Sequence, residues 1–187
     1  GADMKIEHFF DPRTWTLTYL VHDEATRASV LIDSVADYDP KAIRVFHESA
    51  DAVARFIDDR GLTLSHVLDT HVHADHLTAM PYFRERYGAK TVIGRKIGVV
   101  QEAFRDVFGL GSDFPTDGRQ FDVLMDDGET IEAGPFTIEA IETPGHTPAS
   151  LTYRIGDALF VGDLLFQPDY GTARCDFPGG SAAEEFD

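Results

Sequence analysis

Three histidines and an aspartate fall within six consecutive residues, which begin three positions after the apolar pair Val67-Leu68. The four residues are His71, His73, Asp75 and His76. Buried together without a ligand, these side chains would have to satisfy one another's hydrogen bonds in a region that holds little water, which costs free energy. Imidazole combined with a carboxylate favours zinc or iron. The cluster therefore predicts a metal site, and the chain must fold so that these four groups converge.

The residues around the cluster predict how it is presented. A strand over residues 65–70 would place His71 and His73 on the same side of the extended chain, because side chains alternate with a period of two. A helix-like segment over residues 77–87 follows, so the other two members of the cluster fall where the chain turns. We therefore expect the four groups to meet at the carboxyl end of this strand.

Hydrophobic periodicity outlines the rest of the chain. It predicts an amphipathic helix over residues 48–60, a helix over residues 96–108, and turns at residues 126–128 and 156–157. Short strands are predicted over residues 5–10, 16–21, 29–34, 91–93, 136–142, 150–155 and 158–161. Strands, then helices, then strands again indicate a single layered α/β domain that spans residues 1–187.

Composition limits the partners of the chain. It has 16 Lys and Arg against 33 Asp and Glu, and this net charge of -17 argues against binding to nucleic acid or to an anionic membrane. No apolar run reaches the roughly 20 residues that span a bilayer, and no signal peptide is evident. The single cysteine, Cys175, cannot form an internal disulfide, which fits a reducing compartment. We therefore expect a cytoplasmic protein, in which an anionic substrate needs specific arginines to offset the overall field.

Two later motifs carry one candidate metal ligand each. Gly145-His146-Thr147 lies in a loop between two prolines, and Gly162-Asp163 follows an apolar strand. Together with His71 they would give two histidines and one carboxylate from three separate loops. Such a set leaves coordination positions open, as in non-haem Fe(II) centres. With a bound water the same set would serve a hydrolytic zinc site, so the residues alone leave both metals open.

These three motifs, in this order, resemble those of the metallo-β-lactamase superfamily, whose fold is an αβ/βα sandwich with the metal at the edge between two sheets. Within the superfamily, three segments are similar to the persulfide dioxygenases, and more specifically so than to the glyoxalase II hydrolases. These segments are residues 9–16, 70–76 and 168–177. The resemblance implies iron-dependent oxidation of a glutathione-type persulfide by O2 to sulfite and thiol.

The resemblance also implies a ligand set. One Fe(II) per chain would be held by His71, His146 and Asp163, with zinc as the alternative metal. The remaining residues of the cluster would orient these ligands and tune their basicity, although related dinuclear hydrolases use them as metal ligands. These remaining residues are His73, Asp75 and His76.

Two residues near the carboxyl terminus are implied to contact the substrate. Arg174 matches an arginine of the persulfide dioxygenases, and a guanidinium can pair bidentately with a carboxylate, so it would anchor glutathione. A surface salt bridge is the alternative role for Arg174. Tyr170 is a candidate for a hydrogen bond at the rim of the pocket, although its place in a Pro-Asp-Tyr-Gly turn would explain it equally well.

The chain departs from the superfamily pattern at its end. The superfamily usually continues with a helix and a further strand that bears another histidine, and the chain stops at Asp187. The expected fold is therefore the αβ/βα sandwich without its C-terminal elements. A fragment, a trimmed chain and a homo-oligomer in which another copy completes the fold all stay open. The missing histidine weakens a dinuclear zinc site more than a mononuclear iron site.

Two other functions stay open beside the persulfide dioxygenase. The first is a glyoxalase II-like thioester hydrolase, which would use two zinc ions and a bridging hydroxide. The second is a truncated, noncatalytic metal-binding domain that serves as a sensor or assembly partner. Metal content and oxygen uptake on glutathione persulfide would separate the three functions.

Overall fold

The computed structural model describes residues 4–11, 16–39, 44–70, 77–109, 111–112, 121–142, 150–161 and 164–166. The strands in the first half of the chain are β1 (Met4–Asp11), β2 (Thr16–Asp23), β3 (Ala28–Ile32), β4 (Val35–Asp39), β5 (Arg44–Phe46), β6 (Thr63–Leu68), β7 (Leu77–Thr78) and β8 (Lys90–Gly94). The later strands are β9 (Val123–Met125), β10 (Thr130–Ala133), β11 (Phe136–Glu142), β12 (Leu151–Ile155), β13 (Ala158–Val161) and β14 (Leu164–Phe166). The helices are α1 (Glu48–Asp59), α2 (Met80–Tyr87) and α3 (Ile97–Phe108).

Two sheets form the centre of the molecule. The first has the strand order β1-β2-β3-β6-β8-β9, and the second has the order β10-β11-β12-β13-β14. In the first sheet β3, β6, β8 and β9 run parallel, so their carboxyl ends lie at one edge. In the second sheet each pair of neighbours is antiparallel. A small third sheet, β5-β4-β7, follows the end of β3.

The two faces of the first sheet bury different cores. Tyr19 and Val21 of β2 face the second sheet, whereas Leu20 between them faces the helices, as the two-residue period of a strand requires. The core between the sheets includes Tyr19, Val30, Leu68, Ile138, Tyr153 and Phe160, all fully buried. The predicted α/β sandwich is therefore confirmed, with a layer of helices on the outer face of the first sheet.

Helix α1 covers that outer face because its apolar residues recur every three or four positions. Ala50, Val53 and Ile57 are buried against the sheet. The helix ends before Gly61, whose φ of 63° is accessible to glycine at little cost. The amide of Leu62 then donates to the carbonyl of Ile57 at 3.0 Å and closes the last turn. The predicted helix over residues 48–60 is confirmed to within one residue.

Three predicted boundaries beside the histidine cluster are wrong. The strand expected over residues 65–70 is β6, which ends at Leu68, and the strand expected over 29–34 is β3, which ends at Ile32. Asp33 causes both changes: its φ of 59° turns the chain out of the sheet, and its carboxylate accepts the amide of Thr70. The helix expected over 77–87 begins only at Met80, with Pro81 in its first turn, because β7 precedes it and pairs with β4.

The early end of β6 also removes one argument from the sequence. An alternation of side chains with period two holds only while the chain continues as a strand. Because β6 ends at Leu68, that period gives no basis for placing His71 and His73 on one side of the chain. By contrast, the late strands β11 to β13 and the Gly156-Asp157 connection match the prediction closely.

Candidate metal centre

The sequence-predicted site residues all lie outside the part of the chain that the structure describes. They are His71, His73, Asp75, His76, His146, Asp163, Tyr170 and Arg174. Among the described residues themselves, no group of three or more His, Cys, Asp or Glu side chains could hold a metal ion. The described residues that flank the predicted ligands in sequence define where those ligands emerge from the fold.

Both ends of the histidine segment are held by two consecutive residues of the chain after β3. On one side, the carboxylate of Asp33 accepts the backbone amide of Thr70 at 2.7 Å and its hydroxyl at 2.8 Å. On the other side, the amide of Ala79 donates to the carbonyl of Ser34 at 3.3 Å. Residues 71–76 therefore leave and re-enter the described fold at one place, the carboxyl end of β3.

The second sheet meets the same place. The amide of Leu151, at the start of β12, donates to the carbonyl of Thr70 at 2.7 Å. Two residues further along β12, the hydroxyl of Tyr153 donates to the carbonyl of Asp69 at 2.8 Å. Complete burial raises the pKa of Tyr153 well above its ordinary value, so this phenol stays a donor at neutral pH. The residue before His71 is thus joined to a strand that begins five residues after His146.

The third flank comes from β13 and β14. Val161 pairs with Leu164, so residues 162–163, which include Asp163, connect these two strands. β13 runs antiparallel to β12, with Phe160 opposite Tyr153, and therefore β13 ends beside the start of β12. The described flanks of His71, His146 and Asp163 consequently gather at one edge between the two sheets. This edge is the one at which the sequence predicts the metal.

Buried carboxylates at this edge fit a nearby cation. Asp33 and Asp69 are 1% and 2% exposed, and Asp11, at the end of β1, is also buried. The hydroxyl of Thr18 donates to the carbonyl of Asp33 and further encloses it. Buried carboxylates are costly to ionise unless positive charge or hydrogen bonds compensate them. A divalent cation held by imidazole and carboxylate ligands a few residues away would supply such charge.

Sequence reasoning did not assign a role to Asp33 or to Tyr153. The signal for Asp33 was an apolar strand that ends on an aspartate, the same signal that singled out Asp163. No comparable signal exists for Tyr153, because a tyrosine in an apolar strand resembles any other core residue. Its role depends on a contact with Asp69, which is 84 residues away in sequence.

The fold and the edge just described are those of a class of metal-dependent enzymes. Residues 16–187 of the sequence match the metallo-beta-lactamase superfamily, and the chain belongs to this superfamily. The resemblance to this superfamily is thereby confirmed. Members of the superfamily bind metal ions.

Individual relatives carry different activity names. The chain is 49% identical over 96% of its length to a protein of Burkholderia pseudomallei named a probable metallo-hydrolase. It is 32% identical over 97% of its length to the mitochondrial persulfide dioxygenase ETHE1 of Homo sapiens. The crystal structure of ETHE1 from Myxococcus xanthus superimposes with a TM-score of 0.63 at 33% identity, and the match covers 83% of this chain.

The chain is shorter than these proteins. It spans 64% of the Burkholderia protein, 60% of the human protein and 56% of the Myxococcus chain. The activity of such a longer protein is therefore a matter of proposal for this chain. No helix within the described ranges combines the length and the apolar character that crossing a membrane requires.

Proposed function

We propose that the chain carries an iron-dependent persulfide dioxygenase activity on a glutathione-type persulfide. The main support for the site is the hydrogen bond between Leu151 and Thr70, because it joins the flanks of two predicted ligand loops at the edge between the sheets. Similarity to persulfide dioxygenases in sequence and in structure supports the choice of reaction. Overall, a persulfide, O2 and water give a thiol, sulfite and two protons. The outer sulfur loses four electrons to O2, and the bond between the two sulfurs breaks.

The residues that would hold the metal fit Fe(II). His71, His146 and Asp163 supply two imidazoles and one carboxylate, the donor set of non-haem iron sites with open positions. Bound iron supplies the oxygen chemistry that protein side chains lack. The other three members of the cluster would donate to or accept from these ligands and so fix their orientation. They are His73, Asp75 and His76.

The remaining work of the protein is to hold the substrate. Arg174 would pair with a carboxylate of the glutathione moiety, which the net charge of -17 would otherwise repel. Tyr170 would donate a hydrogen bond at the rim of the pocket. The Asp33–Thr70 and Tyr153–Asp69 hydrogen bonds support the chain directly before His71 and thereby keep that ligand in place.

A thioester hydrolase is the second candidate. The name of the Burkholderia relative, a probable metallo-hydrolase at 49% identity, favours it. In a glyoxalase II-like hydrolase two zinc ions would activate water, and the cluster residues that only orient ligands in the first proposal would bind the second ion. No oxygen would be consumed.

Metal analysis combined with oxygen uptake separates the candidates. Protein purified without oxygen should contain about one iron per chain, and it should consume O2 when glutathione persulfide is added. Zinc with thioester cleavage and no oxygen uptake would instead support the hydrolase. A chain with neither activity would be a noncatalytic metal-binding domain.

Two variants test the residue assignments. His71→Ala should lose the metal, whereas His8→Ala, which removes an exposed histidine of β1, should keep it. Arg174→Ala should raise KM more than it lowers kcat if the side chain only anchors the substrate. An unchanged KM in that variant would remove Arg174 from the site.

A further inference from the structure

A cleft of about 350 Å³ opens at the same edge of the first sheet as the predicted metal centre. Its walls are the end of β1, the residue after Asp33 and the first two turns of α1. Tyr19 of β2 pairs with His8 of β1 on one side and with Ile32 of β3 on the other, so the last residues of β1, Phe9 to Asp11, lie level with the residues that follow β3. The cleft therefore adjoins the residues that hold both ends of the histidine segment.

Arg55 of α1 lines this cleft, and its guanidinium has no ion pair or hydrogen bond within the described ranges. Elsewhere among the described residues, five arginines pair with carboxylates; they are Arg84, Arg86, Arg95, Arg105 and Arg154. Acidic residues outnumber basic ones by 33 to 16, so an arginine of this chain has many carboxylates with which it can form an ion pair. Arg55 is accordingly a cation available to a ligand.

Ser34 lines the same cleft and marks the end nearer the metal centre. It is 1% exposed, and its hydroxyl has no hydrogen-bond partner in the described structure. A buried hydroxyl without a partner costs free energy that a ligand amide or carbonyl would recover. Its neighbour in sequence, Asp33, holds Thr70 and thus the chain before His71.

The charges of the cleft select the kind of ligand. Beside the cation of Arg55 it presents two carboxylates, Asp11 and Glu48, together with the rings of Phe9 and Phe10, of which Phe10 is 43% exposed. A simple dicarboxylate would meet repulsion from the acids, whereas a zwitterion satisfies both signs. Arg55 and Glu48 lie seven residues apart on α1, roughly 10 Å along the helix axis. An extended tripeptide also spans about 10 Å.

We propose that this cleft binds the peptide part of a zwitterionic thiol peptide, with Arg55 on the carboxylate at one end and Glu48 on the amino group at the other, so that the sulfur of the central cysteine faces the metal edge beside Ser34. The proposal rests on the proposed function and adds a subsite to it. The persulfide carrier is selected by its amino-acid end and not by the sulfur alone.

Steady-state oxygen uptake by the iron-loaded protein tests the subsite with two substrates. One is glutathione persulfide, and the other is the persulfide of 2-mercaptoethanol, which has no charged end. Arg55→Gln should raise KM for the first about tenfold, the loss expected for one charge-assisted hydrogen bond, with kcat nearly unchanged. KM for the second substrate should stay the same. Arg154→Gln is the matched control, since it removes the same charge from an exposed arginine of β12.

Glu48→Gln addresses the other end of the ligand. It should weaken binding of glutathione but leave unchanged the binding of the analogue that lacks the α-amino group. An unchanged KM for glutathione persulfide in Arg55→Gln would overturn the proposal. An equal rise for both persulfides would overturn it as well, because the loss would then lie outside the peptide part.

Calorimetry of glutathione binding keeps this test separate from the test of the reaction. If the wild-type protein consumed no oxygen, the proposed function would fail, and weaker glutathione binding in Arg55→Gln would still support the subsite. Equal glutathione affinity in wild type, Arg55→Gln and Arg154→Gln would reject the subsite whatever the reaction. Because Arg55 is exposed, we expect the Arg55→Gln variant to fold normally.

Discussion

The carboxylate of Asp33 binds both the amide and the hydroxyl of Thr70, across 37 residues of sequence and in a fully buried setting. Asp33 adopts a left-handed backbone conformation, with φ of 59°, which aspartate tolerates better than most residues. Because Thr70 directly precedes His71, this pair fixes the position of the chain immediately before the histidine segment. The pair therefore connects the packing of the first sheet with the candidate metal centre.

Thr70→Val should destabilise the fold and weaken the metal centre. The change keeps the shape of the side chain but removes the hydroxyl that donates to one oxygen of a buried carboxylate, at a cost of about 1.5–3 kcal/mol. Thr91→Val is the matched control, because Thr91 makes the same kind of bond to Asp122, a carboxylate that is 27% exposed. Urea unfolding and metal analysis give the comparison. Equal metal content in wild type and Thr70→Val would contradict the assigned role.

Tyr153→Phe should lower both metal affinity and stability. The hydroxyl of Tyr153 donates to the carbonyl of Asp69, and its loss costs about 0.5–1.5 kcal/mol of unfolding free energy. Releasing the chain before His71 should weaken metal binding about tenfold, as is typical when groups that support a ligand are removed. Tyr87→Phe, which removes a phenol that binds Asp58 on the helices, should leave metal affinity unchanged. Competition with a chelator measures both variants.

The sequence was sufficient for the parts of the fold that depend on local pattern. Helix α1 and strands β11 to β13 follow from periodicity and turn residues, and the histidine cluster was correctly expected after a buried strand. Strands β4, β5 and β7 were not predicted, since three strands of two to five residues in a separate sheet leave no alternation to detect. Strands β3 and β6 end earlier than predicted because of the contact between Asp33 and Thr70, which no local pattern reveals.

The candidate site divides in the same way. Motifs predicted to bind a metal place histidine or aspartate in short, recognisable segments and can therefore be found in the sequence, as His71, His146 and Asp163 illustrate. The supporting contacts join residues that are far apart along the chain, for example Tyr153 and Asp69. Arg55 is an ordinary polar residue of an amphipathic helix until the fold places it beside a cleft. The predicted ligands themselves fall outside the described residues and stay predictions.

Stability should fall in mild acid because of His22. This residue of β2 is 1% exposed, packs edge-on against Phe56, and has no partner for either ring nitrogen among the described residues. Burial lowers the pKa of His22, and Arg60 lowers it further, although Glu7 opposes the shift. The unfolded chain therefore binds a proton at higher pH than the folded chain. The contribution of the neutral, buried imidazole to the free energy of unfolding is fully present above about pH 6.5. It is lost as the pH falls toward the lowered pKa of the folded state.

His22→Leu tests this pH dependence. The variant should lose part of the slope of unfolding free energy between pH 5 and 6.5, a slope that for one proton does not exceed about 1.4 kcal/mol per pH unit. His8→Leu, at an exposed position of β1, should keep the full slope. Urea unfolding at several pH values supplies the data. Identical slopes in wild type and His22→Leu would show that His22 is not the group responsible.

Gly134→Ala should destabilise the fold more than Gly128→Ala does. Both glycines have positive φ, 59° and 83°, so an alanine at either position should cost about 1–2 kcal/mol of backbone strain. At Gly134 a new Cβ would also lie 2.9 Å from the Cβ of Ala28, whereas at Gly128 nothing lies within 4 Å. The clash falls between the β10–β11 turn and the start of β3, where the two sheets approach each other, and overpacking there should add about 1–3 kcal/mol. Urea unfolding of the two variants measures the difference directly. Equal losses would mean that the turn moves away from Ala28 without cost.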